Sequence, residues 1–106
     1  MTISMDDRRK AFESKWAHDA ALRFEVEARR NRALGEWAAA RKGLTGAAVE
    51  DFVASVIAAD FEEAGDEDVY RKLRAELDGA VSDAVIREKM REFLQAAMEQ
   101  MVKVAE

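Results

Sequence analysis

A chain of 106 residues holds one domain with a modest core and leaves no room for a separate catalytic module. Its 17 Lys and Arg against 22 Asp and Glu give a formal net charge of -5, which argues against nucleic acid or an anionic membrane surface as partner. The absence of cysteine and a single histidine exclude disulfides, iron–sulfur and thiolate zinc centres, thiol nucleophiles and multi-histidine metal sites.

No proline, five glycines and abundant Ala, Glu, Arg and Leu favour helices over strands, so the expected fold is all-α. The charge is uneven: residues 1–42 hold 10 basic and 7 acidic groups, a net of +3, whereas residues 43–106 hold 7 and 15, a net of -8. The longest nearly apolar run, Val53 to Ala59, falls far short of the roughly 20 residues that span a bilayer. Residues 1–10 lack an apolar signal core, so the expected location is the cytoplasm, without membrane insertion.

From about Asp7 to Arg41 nothing in the sequence forbids one long helix, with Gly43 as its end. Met5, Phe12 and Trp16 share a stripe with Leu22, Val26, Ala33, Leu34 and Trp37, but Asp19, Arg23 and Arg30 fall in its centre. The interruption divides the segment. Residues from about 24 onward are expected to pack as a helix of the body, and residues 1–20 form a separate N-terminal segment, frayed until a partner receives it.

Within that segment Phe12 and Trp16 stand one turn apart, flanked by Arg8, Arg9, Lys10, Glu13 and Lys15. Such a pair among charges suits a helix that docks in a groove, with aromatics as anchors and charges setting orientation; the alternative is that both rings pack on the protein's own last helix. On the first reading the partner-binding residues are Arg8, Arg9, Lys10, Phe12, Lys15 and Trp16. His18 has no nucleophile or acid pattern around it; it is an ordinary surface histidine or a pH-sensing group. The basic residues Arg29, Arg30, Arg32, Arg41 and Lys42 either hold phosphates or pair with the acidic helices that follow, and no Walker loop supports the former.

Val49, Phe52, Val53, Val56, Ile57 and Phe61 predict a helix over 46–63, capped by Thr45 and ended by Gly65. The acids Asp60, Glu62, Glu63, Asp66, Glu67 and Asp68 lack the spacing of a calcium loop and read as a solvated junction, with carboxylates at the positive end of the next helix. No metal site is expected. A short helix with Val69, Tyr70, Leu73 and Leu77 inward should close at Gly79, and Ser82 should cap a last helix running from Val85 to the end. Short connections fold these segments into a four-helix antiparallel bundle with an N-terminal extension, residues 21–106 and 1–20 respectively. Trp37, Phe52, Phe61, Tyr70 and Phe93 are expected to supply the bulk of its core.

Asp6-Asp7-Arg8, Lys10-Ala11-Phe12-Glu13, Lys15-Trp16-Ala17-His18-Asp19, Glu27-Ala28-Arg29-Arg30-Asn31, Leu34-Gly35 and Trp37-Ala38-Ala39 occur in that order, followed by Ala59-Asp60-Phe61-Glu62-Glu63 and Gly65-Asp66-Glu67-Asp68-Val69. Together they closely resemble the alphaproteobacterial zeta subunit, the ATPase inhibitor of the F-type ATP synthase. The resemblance implies a non-enzymatic inhibitor with a four-helix bundle and a mobile N-terminal segment. That segment would become helical as it wedges into the catalytic head between the α, β and γ subunits and stops ATP hydrolysis. It further implies residence at the cytoplasmic face of the inner membrane when bound to the synthase. ADP or ATP is implied as a regulatory ligand of the bundle, without residues assigned. Ala64 departs from the family, whose members often carry proline there, and the start Met1-Thr2-Ile3-Ser4-Met5 is not diagnostic. The alternative is a non-inhibitory helical adapter or an adenine-nucleotide-sensing bundle.

Overall fold

The computed structural model describes residues 5–61 and 65–104, and every regular element among them is an α-helix. In chain order these are α1 (Met5–His18), α2 (Ala20–Arg41), α3 (Ala47–Ala59), α4 (Glu67–Glu76) and α5 (Asp83–Val104). Glu62, Glu63 and Ala64, named in the sequence reading, lie outside the described residues. No helix among the described residues is long and apolar enough to cross a membrane.

The segment 7–41, which could have formed one helix, forms two, divided near the expected place. Asp19 leaves the helical region, with φ -117° and ψ 103°, and its carboxylate accepts the Leu22 N–H at 3.0 Å. A side chain that satisfies an orphan N–H of a new first turn gives the backbone a local reason to break, which a reading of Asp19 as a mere charge on a stripe overlooks. At the other end of α2, Gly43 takes a positive φ of 75°. Its N–H donates to the Ala40 carbonyl and that of Leu44 to Ala39, the double bond of a glycine-terminated helix.

Thr45 does not cap α3. Gly46 stands there instead, at φ 61° and ψ -137°, a conformation that needs glycine, and no side chain caps the helix. The helix also stops at Ala59, short of residue 63, because the Asp60 and Phe61 N–H groups bond to Ile57 and Ala58 carbonyls in a tighter turn. Gly65 therefore lies in the connection to α4 and does not end α3. Nor does α4 run on to Gly79: Leu77 is already extended, and Arg74 gathers the corner by donating to the carbonyls of Leu77, Asp78 and Val81 and to the Asp83 carboxylate. Ser82 caps α5 as expected, its hydroxyl accepting the Val85 N–H at 3.2 Å.

Packed along α3 on one side and α5 on the other, α2 is the central helix; α4 closes between α3 and α5, and α1 lies against α5 and α2. The main core joins Leu34, Ala38, Phe52, Val56, Val69, Leu73, Ile86 and Met90, and a second one places Val26 among Ala97, Met98, Met101 and Val102 of α5. Phe52 is buried, and Trp37, Tyr70 and Phe93 pack on the core while partly exposed. Phe61 is not core. The early end of α3 takes it out of phase with the helical stripe, leaving it 65% exposed against the ring of Phe24.

Buried Gly35 sets the approach of α2 to α3, since a Cβ built there would stand 2.9 Å from the Val53 Cα and 3.0 Å from its Cγ2. The obstacle is backbone, so the helices themselves must separate. Gly35→Ala is expected to cost about 1–3 kcal/mol in urea unfolding, overpacking outweighing the roughly 1 kcal/mol that Ala gains over Gly within a helix. An unfolding midpoint equal to or above that of the parent would refute this close-contact account.

Candidate functional site

The segment singled out by the sequence is α1, a run of mixed charge whose first turn holds Asp6 and Asp7, acids that suit the positive end of a helix. Its described side chains, Asp6, Asp7, Arg8, Lys10, Ala11, Ser14 and Lys15, all face solvent. Three of the six proposed contact residues, Arg8, Lys10 and Lys15, are thus on the outer surface of one helix. The side chains of Arg9, Phe12 and Trp16, and that of the pH-sensing candidate His18, lie outside the described ones. Asp19 is the single non-helical residue between α1 and α2, so the two helices are separated by one residue.

Beyond that joint α2 carries a buried polar group. Arg30, one of the residues that interrupts the apolar stripe, is only 1% exposed. Its Nε donates to Asn31 Oδ1 at 2.9 Å and its Nη1 to Asp66 Oδ1 at 2.8 Å, while Nη2 stands 3.6 Å from Asp60 Oδ1 without a hydrogen bond. Asn31 in turn donates to Asp60 Oδ2 at 2.9 Å. One guanidinium therefore ties α2 to the end of α3 and to the residue preceding α4, with the charge matched by carboxylates as burial requires. Asp68, also buried, accepts the N–H of Val69.

The other basic residues follow the pairing reading more than the phosphate one. Arg29 reaches Gln100 and Glu25, Arg32 reaches Glu50, Arg41 stacks over Trp37, and Lys42 pairs with Glu76. The acids of the junction are likewise engaged, Asp60 and Asp66 with Arg30, and Glu67 with both terminal nitrogens of Arg87. Among the described residues no group of three or more His, Asp or Glu is placed to hold a metal ion. Sequence reading missed the Arg30–Asn31–Asp60 connection itself. Its signal was the opposed charge of the two halves, which says that pairs form but not which.

Burial raises the carboxyls of both Glu27 and Asp60 above their ordinary values. For Glu27 the neighbouring Asp60 adds to the rise and Arg30 opposes it; for Asp60 the Asn31 hydrogen bond and Arg30 oppose it. A folded state that holds these protons more tightly than the unfolded chain gains stability as pH falls from neutral toward the raised values, and the gain is complete below the unfolded values of 4.5 and 3.8. Glu67, Glu76 and Asp83, lowered by Arg87, by Lys42 with Lys72, and by Arg74, act oppositely and withdraw stability at more acid pH. Amide exchange at the α3–α4 junction, corrected for intrinsic rates, is accordingly expected to slow between pH 7 and pH 5, and Glu27→Gln should flatten that dependence. Exchange that speeds up over this interval would contradict the assignment.

No curated protein matches the chain. One family profile does, ATPase inhibitor subunit zeta, over residues 1–100, a span that takes in α1, the joint at Asp19, the Arg30 network and most of α5. By that match the chain belongs to the ATPase inhibitor subunit zeta family.

Proposed function

We propose that this protein blocks ATP hydrolysis by the F-type ATP synthase by inserting its N-terminal helix at the catalytic interface of the α, β and γ subunits, while α2 to α5 remain outside the head as a four-helix anchor. The observation that carries this reading is the construction of α1: a helix with Arg8, Lys10 and Lys15 exposed on its surface, set off from α2 by a break in the helix at Asp19. Phe12 and Trp16 act as anchors in the receiving groove, and the basic residues meet carboxylates at its rim. The protein performs no chemistry in this role. It acts by occupying a position that the rotating enzyme must clear, at the cytoplasmic face of the inner membrane.

In this state α1 rests on α5 and α2. Insertion exchanges those contacts for contacts with the enzyme, so the equilibrium is set by the difference between them. Titrating purified ATP synthase of the source organism with the full chain is expected to suppress ATP hydrolysis to a low plateau. Binding without suppression would instead favour the adapter reading, and absence of binding would reject both.

A further inference from the structure

Among the described residues the exposed large hydrophobics are Phe24 and Phe61, at 53% and 65%, and they touch each other, with ring centroids 5.6 Å apart and planes tilted by 37°. A fixed pair of rings left in water costs solvation free energy, and soluble proteins that keep such a pair generally cover it with something. Phe24 lies off the stripe formed by Leu22 and Val26, which faces α5. Phe61 stands in the turn that ends α3, two residues past Ala59.

The charges around the rings are predominantly negative. Glu27 stands three residues after Phe24 on the same helix face, and Asp60 immediately precedes Phe61. Asp66 completes the acidic side through its pair with Arg30. Against these three carboxylates stand Arg30, already committed to Asp60 and Asp66, and Arg23 near Glu27. Burial raises the Glu27 and Asp60 carboxyls, and neighbouring carboxylates add to the rise. The patch also begins within two turns of Asp19, where α1 gives way to α2.

We infer that Phe24 and Phe61, with Glu27 beside them, form a second contact with the ATPase, receiving an apolar side chain flanked by Lys or Arg on the outer surface of the head. The inference rests on the inhibitor reading and adds to it a seat for the body, distinct from the insertion of α1. An aromatic centre with an acidic margin fits a basic, apolar partner surface and rejects an acidic one, because like charges at the margin would be desolvated against each other. The seat adds to the affinity that the inserted helix supplies, and the inserted helix alone sets the block.

The test titrates ATP hydrolysis by the purified catalytic head with full-length protein, with Phe24→Ser/Phe61→Ser and, separately, with Glu27→Lys. Both variants should raise the concentration giving half-inhibition at least tenfold, leave the plateau of inhibition unchanged, and weaken the dependence of binding on salt in the case of Glu27→Lys. Asp60 and Asp66 both act on Glu27, so a lysine there meets opposite charge, and a urea midpoint equal to the parent's makes its result stand even if the double variant melts early. If the parent inhibits and both variants inhibit at the same concentration, the patch is bare surface and the inhibitor reading survives. If the parent neither binds nor inhibits, the inhibitor reading falls and takes the seat with it.

Discussion

Full-length protein carrying Phe12→Ala and Trp16→Ala is expected to lose inhibition of ATP hydrolysis by more than a hundredfold in half-inhibitory concentration, and a chain lacking residues 1–20 to lose it entirely. The magnitude follows from treating the two rings as anchors, each contributing about 2 kcal/mol or more when it fills a desolvated pocket, so that together they account for a factor of several hundred to a thousand. Charge reversal at Arg8 and Lys15, both exposed on α1, should act differently: a smaller loss that diminishes at high salt, because exposed charges steer and orient more than they bind. The truncated chain also loses the contacts of α1 with α5 and α2, so the point variants give the cleaner measurement. Unchanged inhibition by the double variant, with its unfolding curve intact, would remove the insertion mechanism from consideration.

Arg30→Met is expected to destabilise the protein by roughly 2–4 kcal/mol at pH 7, read as a fall in the urea midpoint. Methionine fills much of the same volume, so the effect isolates the charge. What it leaves behind is costly: Asp60, only 14% exposed at its side chain, and the Asn31 carbonyl both lose their cationic partner. Asp66, nearly half exposed, is rehydrated at little cost. Two further results separate this from a simple packing defect. Adding Asp60→Asn should recover part of the loss, and the gap between Arg30→Met and the parent should narrow as pH falls and the orphaned Asp60 carboxyl, already raised by burial, takes up a proton. A gap that is constant with pH would point to packing. Against a total stability of about 5–15 kcal/mol for such a domain, the loss is large enough to populate unfolded chains.

Helical character, the end of α2 at Gly43, the Ser82 cap and the inward face of α4 were all legible because each depends on local chemistry that composition and spacing record. The division of the first 41 residues near position 20 was legible too, from charge interrupting a stripe, but its cause was not. Asp19 acts through its own carboxylate on the next turn, and that choice competes closely with continuing the helix. Phe61 fooled the periodicity because a stripe extrapolated from Val49 to Ile57 runs past the residue where i to i-3 bonds take over. Arg30 stood out as a charge where a hydrophobe was expected. Its explanation lies 30 and 36 residues away at Asp60 and Asp66, and no local pattern reaches that far. For the docking residues, the sequence shows the aromatic pair and the basic flank, while their enzyme-bound arrangement depends on a surface that belongs to the partner.

The joint at Asp19 has a mechanical consequence. The 14 residues of α1 form a rod about 21 Å long, pivoted at one end on a single pair of backbone torsions. A turn of 60° at that pivot carries the far tip through about 20 Å, close to the length of the rod itself, without breaking a hydrogen bond inside α1 or α2. The Asp19 carboxylate can keep its grip on Leu22 throughout, because it belongs to the stationary side of the pivot. On the proposed insertion α1 acts as a lever arm whose sweep is fixed by its length and which is held back by the contacts it makes with α5 and α2.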